Sequence, residues 1–253
     1  MVRNHELHRG PEPAISTHVT DDRTDTACQI LEVLAEVRPK LRGWLHLATI
    51  PLTIAAGAVL VALSPTATTR VGSSVFIGSA LALFSVSATY HRGAWSPGTA
   101  VVLRRLDHAN IFLLIAGSYT AYALLLLHGE QQAVLLWIVW AGAFLGILFR
   151  VCWINAPRWL HTPVYVILGA AALPFSADLI RGAAGFTPGI GVATLIMLAA
   201  GAALYTLGGL VYGFQQPNPW PQWFGFHEVF HSLTILAFAA HLTGVSLATF
   251  SLR

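Results

Sequence analysis

The sequence predicts an all-α integral membrane protein, a bundle of seven transmembrane helices with a cytoplasmic N-terminus and a C-terminus outside. Three observations predict it. Hydrophobic residues make up 55% of the 253-residue chain and charged residues only 10%, against about 25% charged in soluble domains. Seven apolar segments can be drawn, each of roughly 20 residues or more, enough to cross about 30 Å of hydrocarbon. The basic residues are also shared unequally between the two sets of connections, as membrane topology requires.

Residues 1–24 are polar, contain no apolar stretch of the kind a cleavable signal needs, and are expected to form a disordered cytoplasmic tail. Over residues 25–42, Ala27, Ile30, Leu31, Leu34, Val37 and Leu41 recur at helical spacing, with Glu32, Glu36 and Arg38 off that stripe. This predicts an amphipathic helix on the cytoplasmic membrane surface, ending near Pro39. The domain 43–253 carries the spans, expected at 43–63, 71–91, 108–128, 132–154, 160–180, 189–213 and 227–250. With the N-terminus inside, only Arg70, Arg181 and Arg253 of the 14 Lys and Arg residues fall outside. Gly142-x-x-x-Gly146 and Gly209-x-x-x-Gly213 permit close helix approach, more often inside such a bundle than between copies.

The same composition removes several classes of function. The net charge of +3 includes no basic cluster interleaved with aromatics, so no nucleic-acid partner is implied. Two cysteines, Cys28 and Cys152, are too few for a disulfide framework or a four-cysteine zinc site. What remains is chemistry within or beside the membrane.

Ionisable residues in apolar segments are costly and usually functional. His91 ends the second segment, Asp107 and His108 open the third, and His227, Glu228 and His231 open the seventh. By the topology, all fall in the cytoplasmic leaflet. His227 and His231 are one helical turn apart on one face. With His91 they supply the three protein ligands of an open zinc site, leaving a fourth position for water. Asp107 would offset the charge and serve as general base. Ser87, one turn before His91, either packs among Ser85 and Thr89 or bonds to the water or a substrate carbonyl.

The string His227-Glu228-Val229-Phe230-His231 also fits a zinc-protease signature with Glu228 as base. The downstream ligand such an enzyme needs is missing, because His241 lies about 15 Å further along a straight helix. Glu228 is expected instead to bond to a loop partner at the cytoplasmic mouth. A lone membrane-edge histidine is more often a hydrogen-bonding residue than a ligand, so His46, His128, His161 and His241 are read that way.

At these residues the chain resembles the haemolysin III branch of the progestin and adipoQ receptors, the adiponectin-receptor superfamily. Ser87-Ala-Thr-Tyr-His91 matches its S-x-x-x-H motif, and Leu106-Asp107-His108 opens a stretch similar to its aspartate motif. Gly225-Phe-His227-Glu-Val-Phe-His231 resembles its closing G-x-H-x-x-x-H motif. The resemblance covers about 40–250 and implies a seven-helix bundle with zinc (Zn2+) held by His91, His227 and His231. It further implies that Asp107 holds the zinc-bound water, with Ser87 beside it. One departure is Ala121, where bacterial members often carry proline.

The expected function is hydrolysis of a lipid amide or ester by a plasma-membrane protein whose substrates are membrane lipids. The animal relatives resemble ceramidases, which favours an amide. The alternatives are a non-enzymatic membrane-homeostasis or sensor protein with structural zinc and, less favoured, a cytolysin.

Overall fold

The computed structural model describes residues 39–153 and 157–253, apart from the side chains of Arg158, Trp159 and His161. The tail expected at 1–24, most of the surface helix expected at 25–42, Cys28 and the His161 ring lie outside the described residues.

Eight α-helices are described: α1 Trp44–Leu63, α2 Ala67–Arg92, α3 Pro97–Leu126, α4 Gly129–Cys152, α5 Arg158–Gly169, α6 Ser176–Ala183, α7 Pro188–Phe214 and α8 Phe226–Phe250. They provide seven spans long and apolar enough to cross a membrane, with α5 and α6 sharing the fifth, Thr162–Ala183. The chain is therefore an all-α, multi-pass membrane protein.

Helix starts follow local chemistry. Thr66 and Thr69 cap α2 reciprocally, each side chain bonding to the other's backbone N–H. Ser96 caps α3 by accepting from the Thr99 N–H, and Pro97 occupies the first helical position. That cap starts α3 at Pro97, well before the expected position 108, adding about three turns ahead of the expected span. Ala121 lies within a continuous α3.

The fifth span departs from the expected single helix. The chain turns after Gly169, makes a short 3₁₀ turn at Leu173–Phe175 and resumes at Ser176. Pro174 lacks the N–H that a continuous helix would use. Tyr119 of α3 fills the gap: its hydroxyl donates to the Gly169 carbonyl at 2.5 Å and accepts from the Ala172 N–H at 3.1 Å. Broken backbone at membrane depth requires partners of this kind.

α2 and α3 are the most buried spans. α3 packs against α2 and α4, and also touches α5, α6 and α8. Phe76, Phe84, Tyr122 and Phe238 fill the main core. The paired glycines serve internal packing. Gly142 and Gly146 make room for Leu168 of α5 and Phe112 of α3, while Gly209 and Gly213 lie against Val166 and Thr162 of α5.

The starts of α1, α3 and α8 and the end of α2 meet at one end of the bundle. A loop from Gln215 to Gly225 delivers α8 there and is stitched to the chain entering α1. Lys40 N–H donates to the Gln222 carbonyl at 3.0 Å, and Leu41 N–H to the Trp223 carbonyl at 3.3 Å. The Lys40 ammonium sits 4.4 Å from the Trp223 ring centroid.

Candidate metal centre

The first turn of α8 is fixed by side chains that satisfy its free N–H groups. The Glu228 carboxylate accepts from the Gly225 N–H at 2.9 Å, and the Asn218 side-chain oxygen accepts from the Phe226 N–H at 2.9 Å. The other Glu228 oxygen pairs with the Arg42 guanidinium at 2.9 Å, with the Glu228 side chain fully buried. Glu228 thus caps the helix and anchors it to the chain before α1, each oxygen already holding a partner.

This geometry sets His227 and His231 facing His91 from the last turn of α2. One nitrogen from each of the three rings lies within 4.8 Å of the others. The Nε2 atoms of His227 and His91 are 3.1 Å apart. Tetrahedral zinc with bonds of about 2.0–2.1 Å separates its nitrogens by roughly 3.3 Å. The donor set therefore fits a divalent metal of the kind that imidazoles hold. Nδ1 of His231 is buried without a hydrogen-bond partner.

Asp107 of α3 faces the same point, with Oδ2 3.7 Å from Nε2 of His91. The Ser87 hydroxyl donates a hydrogen bond to the Asp107 carboxyl. Ser87 is 1% exposed. This partner is neither of the two expected for Ser87. His108, although adjacent to Asp107, is engaged elsewhere. Its Nδ1 meets the Arg104 carbonyl at 2.6 Å and its Nε2 the Tyr212 hydroxyl at 3.3 Å.

Two histidines differ from their expected role as edge hydrogen-bonders. His46, in the first turn of α1, is 2% exposed, and neither ring nitrogen has a hydrogen-bond partner. It stacks on His231 instead. His241 is buried deep in α8. Both positions depend on helix rotation, which spacing along a single helix does not reveal. Gly43, left-handed at φ 78°, lets the chain turn into α1 beside His91. A Cβ there would lie 2.9 Å from the His91 Cβ, and L-residues are strained in that conformation in any case.

Below the cluster lies a cavity of about 710 Å³, within the range of small-molecule sites. His46, Ser87, Asp107, His227 and His231 line one end. Leu179, Ile180 and Leu195 belong to its largely apolar remainder.

A family profile described as Haemolysin-III related matches residues 35–242. The chain belongs to the haemolysin III family. Within the superfamily this is the haemolysin III branch of the progestin and adipoQ receptors. The chain is similar to the Hemolysin-3 homolog of Bacillus subtilis (strain 168), with 30% identity over 66% of this chain and 73% of that protein. It is also similar to Hemolysin-3 of Bacillus cereus, with 31% identity over 58% of this chain and 64% of that protein. The three motifs that carry this family resemblance contain the residues the fold brings together: Ser87 and His91, Asp107, and His227 with His231.

Proposed function

We propose that this haemolysin III family protein is a zinc-dependent hydrolase of a lipid amide or ester. One observation carries the reading. Three imidazoles and the Asp107–Ser87 pair converge at the head of an apolar cavity large enough for an acyl chain. The distribution of Lys and Arg favours placing that head near the cytoplasmic face of the plasma membrane, where water enters from the cytoplasm and lipid from the bilayer.

A zinc ion held by His91, His227 and His231 would supply Lewis acidity and lower the pKa of a nearby water. Asp107 accepts a proton from the attacking water as its oxygen adds to the acyl carbon. The bond to the leaving nitrogen or oxygen then breaks, and Asp107 returns the proton to the leaving group. Ser87, by donating to the carboxylate, holds it in register. The cavity binds the acyl chain and keeps bulk water from the reacting carbonyl.

A structural-zinc sensor is the competing reading, favoured by the fact that the three imidazoles tie α2 to α8. The names of the relatives point to haemolysis, which seven long apolar spans in one chain support less well than residence in the membrane. Purified protein incubated with labelled ceramide and phospholipid, with and without chelator, separates these. Asp107→Asn is expected to keep the metal and lose turnover. Turnover by His227→Ala equal to wild type would overturn the hydrolase reading. Membrane lysis by purified protein at nanomolar levels would restore the cytolysin.

A further inference from the structure

We propose that the far end of the cavity is a second recognition site, built by His241, Tyr205 and Tyr122, for a neutral oxygen carried in the distal half of an acyl chain. This rests on the reading of the cavity as an acyl chamber, but not on hydrolysis.

All three side chains line the cavity. The His241 ring is 6% exposed and is held edge-on between two phenols. Its centroid is 5.4 Å from that of Tyr122 and 5.5 Å from that of Tyr205, each pair at 88°. A Cβ at Gly201 would overlap the His241 ring, and one at Gly244 the Tyr122 hydroxyl. Two helices therefore give up side chains to admit this polar group.

Its hydrogen bonds are incomplete. The Tyr122 hydroxyl donates to the His241 carbonyl at 3.3 Å. The Tyr205 hydroxyl is buried without a partner, and neither His241 ring nitrogen meets hydrogen-bond geometry. The Leu198 carbonyl is the backbone acceptor facing the ring, which leaves at least one ring nitrogen unmet. Phenylalanine and leucine would fill the same space without that penalty. The unmet groups are a phenol donor and a neutral imidazole, which offers one donor and one acceptor. A hydroxyl accepts from Tyr205 and donates to the imidazole, and a ketone accepts from both. Asp107 is the charged side chain of the lining and lies at the opposite end, so nothing here recognises an anion.

Depth selects the position on the ligand. His241 follows His231 by ten residues, about 15 Å along the helix and about half of a ~30 Å hydrocarbon core. An acyl chain with its carbonyl at the imidazole cluster thus lays its distal half against His241 and Tyr205.

The full chain in phosphatidylcholine nanodiscs tests this by competition against a fluorescent fatty acid, which reads binding without turnover. The competitors are stearate and hydroxystearates with the hydroxyl stepped along the chain. Isomers hydroxylated in the distal half should bind about tenfold more tightly than stearate, and isomers hydroxylated near the carboxyl should show no gain. Tyr205→Phe and His241→Leu should each erase the gain while stearate affinity holds. A flat isomer series in wild type overturns the proposal, as does a preference that survives both substitutions or failure of every probe to bind. Loss of ceramide turnover with the preference intact sinks only the hydrolase.

Discussion

The imidazole of His46 lies flat against that of His231, with ring centroids 3.9 Å apart and planes 15° from parallel. The contact joins the first turn of α1 to the second turn of α8. It holds a candidate ligand ring by its face and so leaves its edge free to coordinate. Imidazole orientation at metal sites usually comes from a hydrogen bond to the second nitrogen, and here Nδ1 of His231 has none.

Replacing His46 therefore tests a positioning role. His46→Ala should weaken metal binding by about ten- to a hundredfold, the range seen when supporting contacts of metal ligands are lost. His46→Phe, which keeps a flat ring in the stack, should stay within a few fold of wild type. Competition against a chromophoric chelator measures both, and equal affinity for the alanine variant would remove His46 from the site.

Metal removal should act as loss of a stabilising ligand. A cation at 100 times its dissociation constant stabilises the folded state by about 2.7 kcal/mol. Chelation should lower the Tm of the wild-type protein in detergent. His91→Ala should begin at the lower Tm and not respond. A chelator-dependent Tm in that variant would place the metal elsewhere.

The Arg42–Glu228 pair predicts stability effects without loss of the metal. Arg42→Ala leaves a buried carboxylate without its cation and should cost about 3–5 kcal/mol. Glu228→Gln keeps an acceptor for the Gly225 N–H and should cost less. Metal content in both should match wild type by elemental analysis. Hydrolysis abolished by Glu228→Gln with fold and metal intact would return the glutamate to a catalytic role.

Tyr119→Phe should destabilise the break in the fifth span. It strands the Gly169 carbonyl and the Ala172 N–H, about 1–3 kcal/mol for a polar group left unmet away from water. Thermal unfolding should show the loss, and hydrogen exchange should rise first around residues 169–176.

Much of this was legible in the sequence because the membrane imposes length and composition on each span. The motif residues could be gathered because topology places Ser87, His91, Asp107, His227 and His231 at corresponding depths. The break after Gly169 left a trace in Pro174, but apolar content continues through it, so hydropathy reads one segment. The roles of His46 and His241 were hidden for another reason. Each depends on which way its helix is turned toward α8 or α3, and a single histidine in an apolar run carries no such information. Glu228 was readable in part: the missing downstream ligand argued against a protease base, whereas its partner Arg42, 186 residues away, came only with the fold.

The stitching of Lys40 and Leu41 to the loop before α8 makes the short entry to α1 part of the scaffold that supports α8. Two backbone hydrogen bonds, a cation over an indole and the Arg42–Glu228 pair all connect the approach to α1 with the turn that carries His227 and His231. The entry to α1 is thus a brace for the candidate metal centre.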